Sequence, residues 1–201
     1  MLEREVEKLL KVHYADMPGL DTETQMLFKQ LEWGINLGSN TMYLTYEIDT
    51  DQLYSVMSRF DNFVQHSKDR DINLVISSYG GDVYAMLGTI DYFNSLPVKV
   101  NTHCIGACMS AAAVILACGT GKRTMSRNST VMVHEGSAFE VGKTSDVIKG
   151  ADHLKKLQKN INRILGEVTN KDQDFWEEIS KQDTFLTSDE CLEYGIVDEI
   201  K

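Results

Sequence analysis

Strand-like and helix-like segments alternate along most of this chain, and that alternation constrains the fold more than any other feature of the sequence. From Thr41 onward, apolar segments of strand length are repeatedly followed by segments whose apolar residues recur with helical spacing. Clear pairs are INLVIS followed by VYAMLGTIDYFNSL, and VKVNTHC followed by the uniformly apolar SAAAVILAC. Repeated alternation of this kind predicts a layered α/β domain.

The clearest break in the sequence is the Pro-Gly pair at residues 18–19, which separates two short helical patterns, and both are assigned to one N-terminal arm. Residues 1–38 are predicted to form a helical arm, because short amphipathic patterns occur over residues 2–10 and 27–31. Residues 39–201 carry the alternating pattern and are predicted to form the main domain. Within that domain, TSDVIKGADHLKKLQKNINRILGEVT predicts one long amphipathic helix.

Composition and charge argue against several classes of protein. The formal net charge is -10 and no basic stripe is present, so we predict no nucleic-acid partner. The longest nearly apolar run, residues 107–119, is too short to span a bilayer, and the charged N-terminus lacks the apolar segment of a signal peptide. We therefore predict a cytoplasmic protein with no membrane partner. Its 4 cysteines have no zinc-site spacing and are predicted to be thiols, with no bound metal.

The segment SSYGGD places adjacent glycines between a buried strand and the helix that follows. Gly80 and Gly81 allow positive φ and close approach of another backbone. Exposed N–H groups at a helix start favour an anion or a developing oxyanion. The same dipeptide also suits an ordinary strand-to-helix turn, and the residues alone do not decide between these interpretations. The chain has no G-x-x-x-x-G-K-[ST] motif, so this turn is not a nucleotide phosphate loop.

The segment CIGACMSAAA brings several candidate nucleophiles close together. Gly106 is predicted to let the chain turn after the preceding strand, with Cys108 in the turn and Cys104 buried in the strand. Ser110 begins the apolar helix, where a hydroxyl either caps the helix or attacks a carbonyl. In the second case the N–H of Ala111 would face the oxyanion. The segment alone leaves both roles open.

A nucleophile needs a base, and His134 is the strongest candidate among the 5 histidines. It ends the apolar strand pattern VMVH, at a position where catalytic side chains are commonly displayed. A structural or solvated histidine also suits that position. Spacing cannot select an orienting acid from the 30 aspartates and glutamates.

A series of segments, in order, resembles the ClpP serine peptidases: SSYGGDVYAM, GACMSAAAVILACGTGKR, NSTVMVHE and DTFLTSDECLEYGIVD. That family carries S-P-G-G, then G-x-x-x-S with an apolar helix and G-K-R, then N-S-x-V-M-[IV]-H, and finally D-x-F-[LM]-[ST] before E-Y-G-[LI]-[VI]-D. The similarity runs from about Thr41 to Ile200. It implies a ClpP/crotonase-like α/β spiral of repeated β-β-α units, with a protruding long handle helix over about residues 137–169.

The resemblance also implies a role for particular residues. Ser110 matches the nucleophile, His134 the base and Asp183 the orienting acid of a Ser-His-Asp triad. Gly81 and Ala111 match the backbone donors of the oxyanion hole. The residues implied in binding the substrate backbone are Gly80, Ser137, Ala138, Phe139, Glu140 and Val141.

The implied activity is that of a serine endopeptidase, which hydrolyses peptide bonds of unfolded proteins or peptides inside an oligomeric chamber. The resemblance implies a homo-oligomer, as a seven-membered ring or a double ring. It implies no cofactor of the chain's own. ATP would enter only indirectly, through an AAA+ Clp unfoldase as partner.

This sequence departs from the family pattern at several positions. Tyr79 stands where the family has Pro, and Lys181 and Gln182 replace an acid-Arg pair associated with contacts between rings. Residues 1–38 differ from the usual family start, which helps to dock the ATPase. One residue fewer separates Gly119 from the G-K-R motif, so the assignment of Ser110 depends on where that gap is placed. An ungapped alignment from His134 backwards would place Met109 at the nucleophile position, where its side chain could not act.

These departures leave alternatives open. One is a non-catalytic or regulatory ClpP-like ring subunit. Another is a specialised ClpP-like protease, such as a viral capsid-processing one, that acts without an ATPase. An acyl-CoA enzyme of the crotonase type shares the spiral fold and the two-amide oxyanion hole but does not need Ser110, His134 and Asp183 together. A thiol peptidase based on Cys108 is the remaining variant.

Overall fold

A computed structural model describes residues 22–66, 69–137 and 141–201. The helical pattern predicted over residues 2–10 lies outside these ranges. The described elements alternate as the sequence predicts. In chain order they are α1 (Thr22–Trp33), β1 (Ile35–Asn36), β2 (Thr41–Leu44), α2 (Thr50–His66), β3 (Ile72–Ser78), α3 (Val83–Ser95), β4 (Val100–Met109), α4 (Ala111–Ala117), β5 (Arg123–Met125), β6 (Thr130–Val133), α5 (Thr144–Val168), α6 (Gln173–Ile179), β7 (Thr184–Leu186), α7 (Ser188–Tyr194) and β8 (Glu199–Ile200).

The strands form an eight-stranded sheet with the order β1-β2-β3-β4-β5-β8, and β6 and β7 branch from β4. Pairing is parallel from β2 through β3 and β4 to β5 and β8, and also between β4 and β6. Only β1 with β2 and β6 with β7 pair in the antiparallel sense among the described strands. Parallel strands need helical crossovers, which the intervening helices supply. The predicted α/β class is confirmed.

Strand β4 continues through Gly106, where the sequence predicted a turn. Opposite β3 its register shifts between Cys104 and Cys108, and Gly106 has φ 72°. An irregularity of this kind accommodates extra residues without ending the strand, and glycine adopts the required positive φ without strain. The predicted turn is therefore wrong, and Cys108 lies inside a strand.

Helix α4 forms the centre of the core. All of its residues from Ala111 to Ala117 are buried. Because α4 is covered on every side, it has no polar face, unlike the amphipathic helices at the surface. Elsewhere in the core, the aromatic rings of Phe60 on α2 and Phe93 on α3 stack with centroids 5.8 Å apart.

Several boundaries differ from the sequence prediction. The strand predicted over TMYLTYEI ends at Leu44, and Ile48 forms only an isolated bridge with Gly81. The last predicted strand, IVDEI, shortens to β8, whereas β1 and β7 were not predicted. Strands β7 and β8 pair with strands that are distant in sequence, which local patterns do not report. Strand β1 pairs with the nearby β2 but has only 2 residues, too few to show strand alternation. The long helix α5 lies within the predicted handle region. In the described part of the chain, no helix has the length and apolar character needed to cross a membrane.

Arg123, the arginine of the G-K-R segment, joins the ends of several helices. Its Nη1 donates to the carbonyl oxygens of Ala117 at 3.2 Å, Val168 at 2.7 Å and Gly195 at 2.9 Å. Its Nη2 donates to Asp198 at 2.5 Å. Partial burial opposes ionisation of Asp198, but the hydrogen bonds from Arg123 outweigh it and hold the pKa of that carboxyl below its ordinary value.

We expect Arg123→Met to lower the free energy of unfolding by about 3 kcal/mol, because it leaves helix-end carbonyls without their charged donor. The matched control is Arg127→Met, since the Arg127 side chain is 61% exposed and, among the described residues, pairs only with the exposed Asp189. That control should lose less than about 0.5 kcal/mol. Urea unfolding of both variants measures the difference, and equal losses would show that Arg123 does not join the helix ends.

Candidate active site

Ser110 is the single residue between strand β4 and helix α4. Its φ is 54° and its ψ is -124°, a strained conformation for a residue other than glycine. The Ser110 N–H donates to the Met132 carbonyl at 2.8 Å and fixes this turn. The hydroxyl makes no capping hydrogen bond to helix α4. The capping interpretation of Ser110 is therefore wrong.

The Ser110 hydroxyl instead contacts His134. The distance between His134 Nε2 and Ser110 Oγ is 2.8 Å. Strand β6 pairs with the last residues of β4, so both strands end at the same edge of the sheet and bring these side chains together. Nucleophile and base in hydrogen-bond contact form the pair needed to activate a hydroxyl.

Asp183 lies on the other side of His134. It immediately precedes β7, which is antiparallel to β6 and pairs Thr184 with Val133. The distance between Asp183 Oδ1 and His134 Nδ1 is 3.6 Å, and the Asp183 side chain is 66% exposed. The structure thus brings together all three side chains that the resemblance selected, with the acid farther from the histidine than a direct hydrogen bond.

Two backbone N–H groups lie beside Ser110 without protein acceptors. Ile48 bonds to the Gly80 carbonyl and the Asp82 N–H, which leaves the Gly81 N–H between them. Ala111 is the first residue of α4, so its N–H has no partner within the helix. Among the described residues, neither group has a hydrogen-bond acceptor, and both are available to a ligand.

The glycine pair is required by close backbone contacts. Gly80 has φ 102°, and a Cβ there would lie 2.7 Å from the Ser110 Cβ and 3.0 Å from the Ala111 nitrogen. Gly81 has φ 151°, and a Cβ there would lie 2.1 Å from the Ile48 carbonyl oxygen. The Gly80-Gly81 turn therefore packs against Ser110 and Ile48 only because neither glycine carries a side chain.

A cavity of about 240 Å³ opens beside Ser110 and His134. Gly81 and Ala111 also line it, so the free N–H groups lie near its mouth. Its walls are mostly apolar. They include Met86, Val114, Val133, Leu154, Ile161 and Leu165. The arrangement suits a substrate that places a carbonyl at Ser110 and an adjoining side chain in the cavity.

The residues predicted to bind the substrate backbone are only partly described. Ser137 lines the cavity, whereas Gly80 lines a separate surface depression with Tyr46 and Tyr79. Val141 is 80% exposed. Ala138, Phe139 and Glu140 lie outside the described residues.

Sequence reasoning missed two amides on helix α5. Gln158 and Asn162 line the cavity, and Gln158 Oε1 accepts a hydrogen bond of 2.8 Å from the Gly136 N–H. The available signal was an asparagine on the apolar face of an amphipathic helix, between Ile161 and Leu165.

The cysteines near the site do not have the access that a nucleophile needs. Cys104 and Cys108 are fully buried, and the Cys108 thiol lies 3.6 Å from the Ile76 carbonyl oxygen. Burial, with the neighbouring thiols, raises the pKa of Cys108 well above its ordinary value. His134 contacts Ser110, and these observations disfavour a Cys108-based thiol peptidase.

A serine and a histidine in contact at adjoining strand ends, with free backbone amides beside an apolar cavity, define an α/β protein equipped for acyl transfer. A family model described as Clp protease matches residues 32–201, and the chain belongs to this family. The resemblance drawn from its motifs is confirmed. The ATP-dependent Clp protease proteolytic subunit 1 of Prochlorococcus marinus (strain MIT 9312) is 30% identical over 163 residues, which cover 81% of this chain and 84% of that relative. Membership and similarity together support a ClpP-family peptidase.

We expect Cys108 to resist alkylation by iodoacetamide in the folded protein and to react readily after unfolding in urea, because the fold encloses its thiol. Mass spectrometry of peptides from native and unfolded samples measures this. The other cysteines are also buried and provide internal references. Rapid native labelling confined to Cys108 would contradict the prediction and revive the thiol-peptidase alternative.

Proposed function

We propose that this protein is a serine endopeptidase that hydrolyses peptide bonds with Ser110, His134 and Asp183. The observation that carries the proposal is the 2.8 Å contact between His134 Nε2 and Ser110 Oγ at the mouth of the cavity. The two free backbone amides beside this contact would form the oxyanion site that acyl transfer needs. The family membership supports the same chemistry.

In the first step, His134 Nε2 accepts the proton of the Ser110 hydroxyl while Oγ attacks the peptide carbonyl. The negative charge that develops on the carbonyl oxygen is stabilised by the N–H groups of Gly81 and Ala111. The protonated His134 then gives its proton to the leaving amine, and the peptide bond breaks. An acyl-enzyme on Ser110 remains.

In the second step, His134 takes a proton from water, and the resulting hydroxide attacks the acyl-enzyme carbonyl. Ser110 recovers its proton from His134 when the acid product leaves. The same N–H groups stabilise this second oxyanion. One histidine thus acts in turn as base and acid in both steps.

Asp183 is proposed to hold the imidazole with Nδ1–H directed toward its carboxylate, which leaves Nε2 free to accept the serine proton. The separation of 3.6 Å is long for this bond. Hydrogen bonds in unliganded sites often shorten only in the substrate complex. Because Asp183 is exposed, exclusion of water by substrate or by a neighbouring subunit would strengthen its attraction to the imidazolium.

The substrate is proposed to be an unfolded polypeptide that lies along the segment after His134 as an added strand, with a side chain in the cavity. The similar protein from Prochlorococcus marinus is named an ATP-dependent proteolytic subunit. By analogy we propose that this chain assembles into a ring-shaped homo-oligomer and receives substrate from an AAA+ Clp unfoldase. Exposed apolar side chains on α1, such as Leu31 at 79% exposure, would be covered in such an assembly.

We expect Ser110→Ala to abolish labelling by a fluorophosphonate probe and to lower peptide hydrolysis on the order of 10⁴-fold, because the attacking oxygen is gone. The control is Ser95→Ala, since the Ser95 hydroxyl only bonds to the Tyr92 carbonyl at the end of α3. Native mass measured on the same fraction relates activity to assembly. Labelling that persists in Ser110→Ala, or wild-type protein that is assembled but unlabelled, would overturn the proposal.

We expect Gly80→Ala to reduce kcat about 100-fold, because its methyl group would push Ser110 away from His134. Gly38→Ala is the matched control, since Gly38 is exposed and a Cβ there meets only the Asn36 side chain at 3.2 Å. Initial rates with a fluorogenic peptide measure the loss, and circular dichroism establishes that both variants fold. A folded Gly80→Ala variant with wild-type kcat would mean that this contact does not position Ser110.

A further inference from the structure

The apolar cavity beside Ser110 contains a chain of amide hydrogen bonds. The Gly136 N–H donates to Gln158 Oε1 at 2.8 Å. Gln158 Nε2 donates in turn to Asn162 Oδ1 at 2.9 Å. Both side chains lie one turn apart on helix α5 and line the cavity.

This chain fixes the orientation of each amide. A backbone N–H can only donate, so Gln158 must present its oxygen to Gly136 and its nitrogen to Asn162. Asn162 must then present its oxygen to Gln158. Its Nδ2 group is left as the free end of the chain, and among the described residues it has no hydrogen-bond acceptor.

Asn162 is only 2% exposed, so its NH₂ group has little access to bulk water. A donor that faces a largely apolar cavity without an acceptor is unfavourable, and a ligand that accepts its hydrogen bond removes that cost. Two other polar side chains on the cavity wall have partners of their own. Ser180 Oγ donates to the Glu177 carbonyl, and Asp82 accepts from the Ala85 N–H.

We propose that Asn162 Nδ2 is a specificity-determining donor, which selects substrates whose side chain before the cleaved bond has an apolar stem and a neutral hydrogen-bond acceptor at its tip. This inference rests on the proposed peptidase function. Gln158 is the positioning residue that orients Asn162.

The charges of the cavity disfavour a substrate carboxylate. No lysine or arginine lines it within the described ranges, so a substrate carboxylate would be buried without a counter-charge. A substrate ammonium group offers no acceptor to Asn162. Side chains of the glutamine type, with a methylene stem and a carbonyl tip, meet both conditions.

The test compares peptides that differ only in the residue before the cleaved bond. Norleucine supplies the apolar reference, O-methylhomoserine replaces one methylene by an ether oxygen, and glutamine adds a carbonyl. The measured quantity is kcat/KM for each acceptor peptide divided by kcat/KM for the norleucine peptide. Using a ratio removes effects that act equally on all substrates.

We expect Asn162→Leu to lower both ratios roughly three- to tenfold, the contribution of one neutral hydrogen bond. Asn162→Ala, which removes the donor without adding bulk, should lower them as well and serves if the leucine variant does not fold. Gln158→Glu still accepts from Gly136 but cannot donate to Asn162, and should lower the ratios partly. Asn160→Leu, which changes an asparagine on the same helix that does not line the cavity and accepts from Arg163, should leave the ratios unaltered.

Ratios in the Asn162 variants equal to those of the wild type would overturn the inference while cleavage that depends on Ser110 continues. Failure of the proposed function would instead appear as loss of cleavage of every peptide. In that event the dissociation constant of each peptide is measured with the Ser110→Ala protein. The value for each acceptor peptide is then compared with the value for the norleucine peptide. Equal binding of the norleucine and acceptor peptides, or no binding of any of them, would then overturn the inference.

Discussion

The site depends on the way strand β4 is divided by its irregularity at Gly106. The first part of β4 pairs with β5 and the last part with β6, along the same edge. The division lets β6 end beside Met109, so the residue after each strand, Ser110 and His134, emerges at one point. The contact between the two side chains thus follows from backbone pairing.

Backbone strain and close contact are concentrated at the same place. Ser110 keeps a φ of 54° because the Met132 carbonyl holds its N–H, while its own carbonyl accepts from Ala113 at 3.0 Å. A strained residue of this kind costs about 1–3 kcal/mol. The buried residues of α4 offset that cost through apolar contacts. The benefit is that the hydroxyl points away from the helix and toward His134.

The sequence was sufficient for the α/β class, the main helices and the residues of the proposed triad. Hydrophobic periodicity reports burial along one segment, and the ordered motifs selected Ser110, His134 and Asp183. Periodicity could not report that Gly106 bends a continuous strand, because a turn and a strand irregularity both use positive φ. It also missed β7, whose few residues are specified by a partner distant in the chain, and β1, whose 2 residues are too few to show alternation.

The geometry also favours Ser110 over Met109 at the nucleophile position. Motif spacing left that position ambiguous because of the one-residue gap before the G-K-R segment. Met109 is the last residue of β4 and pairs with Met132, so it is held within the sheet, whereas Ser110 is in the turn and contacts His134. The same reasoning explains why Gln158 and Asn162 escaped the motifs. Their role comes from their contacts with Gly136 and with the cavity, and no residue spacing within α5 predicts those contacts.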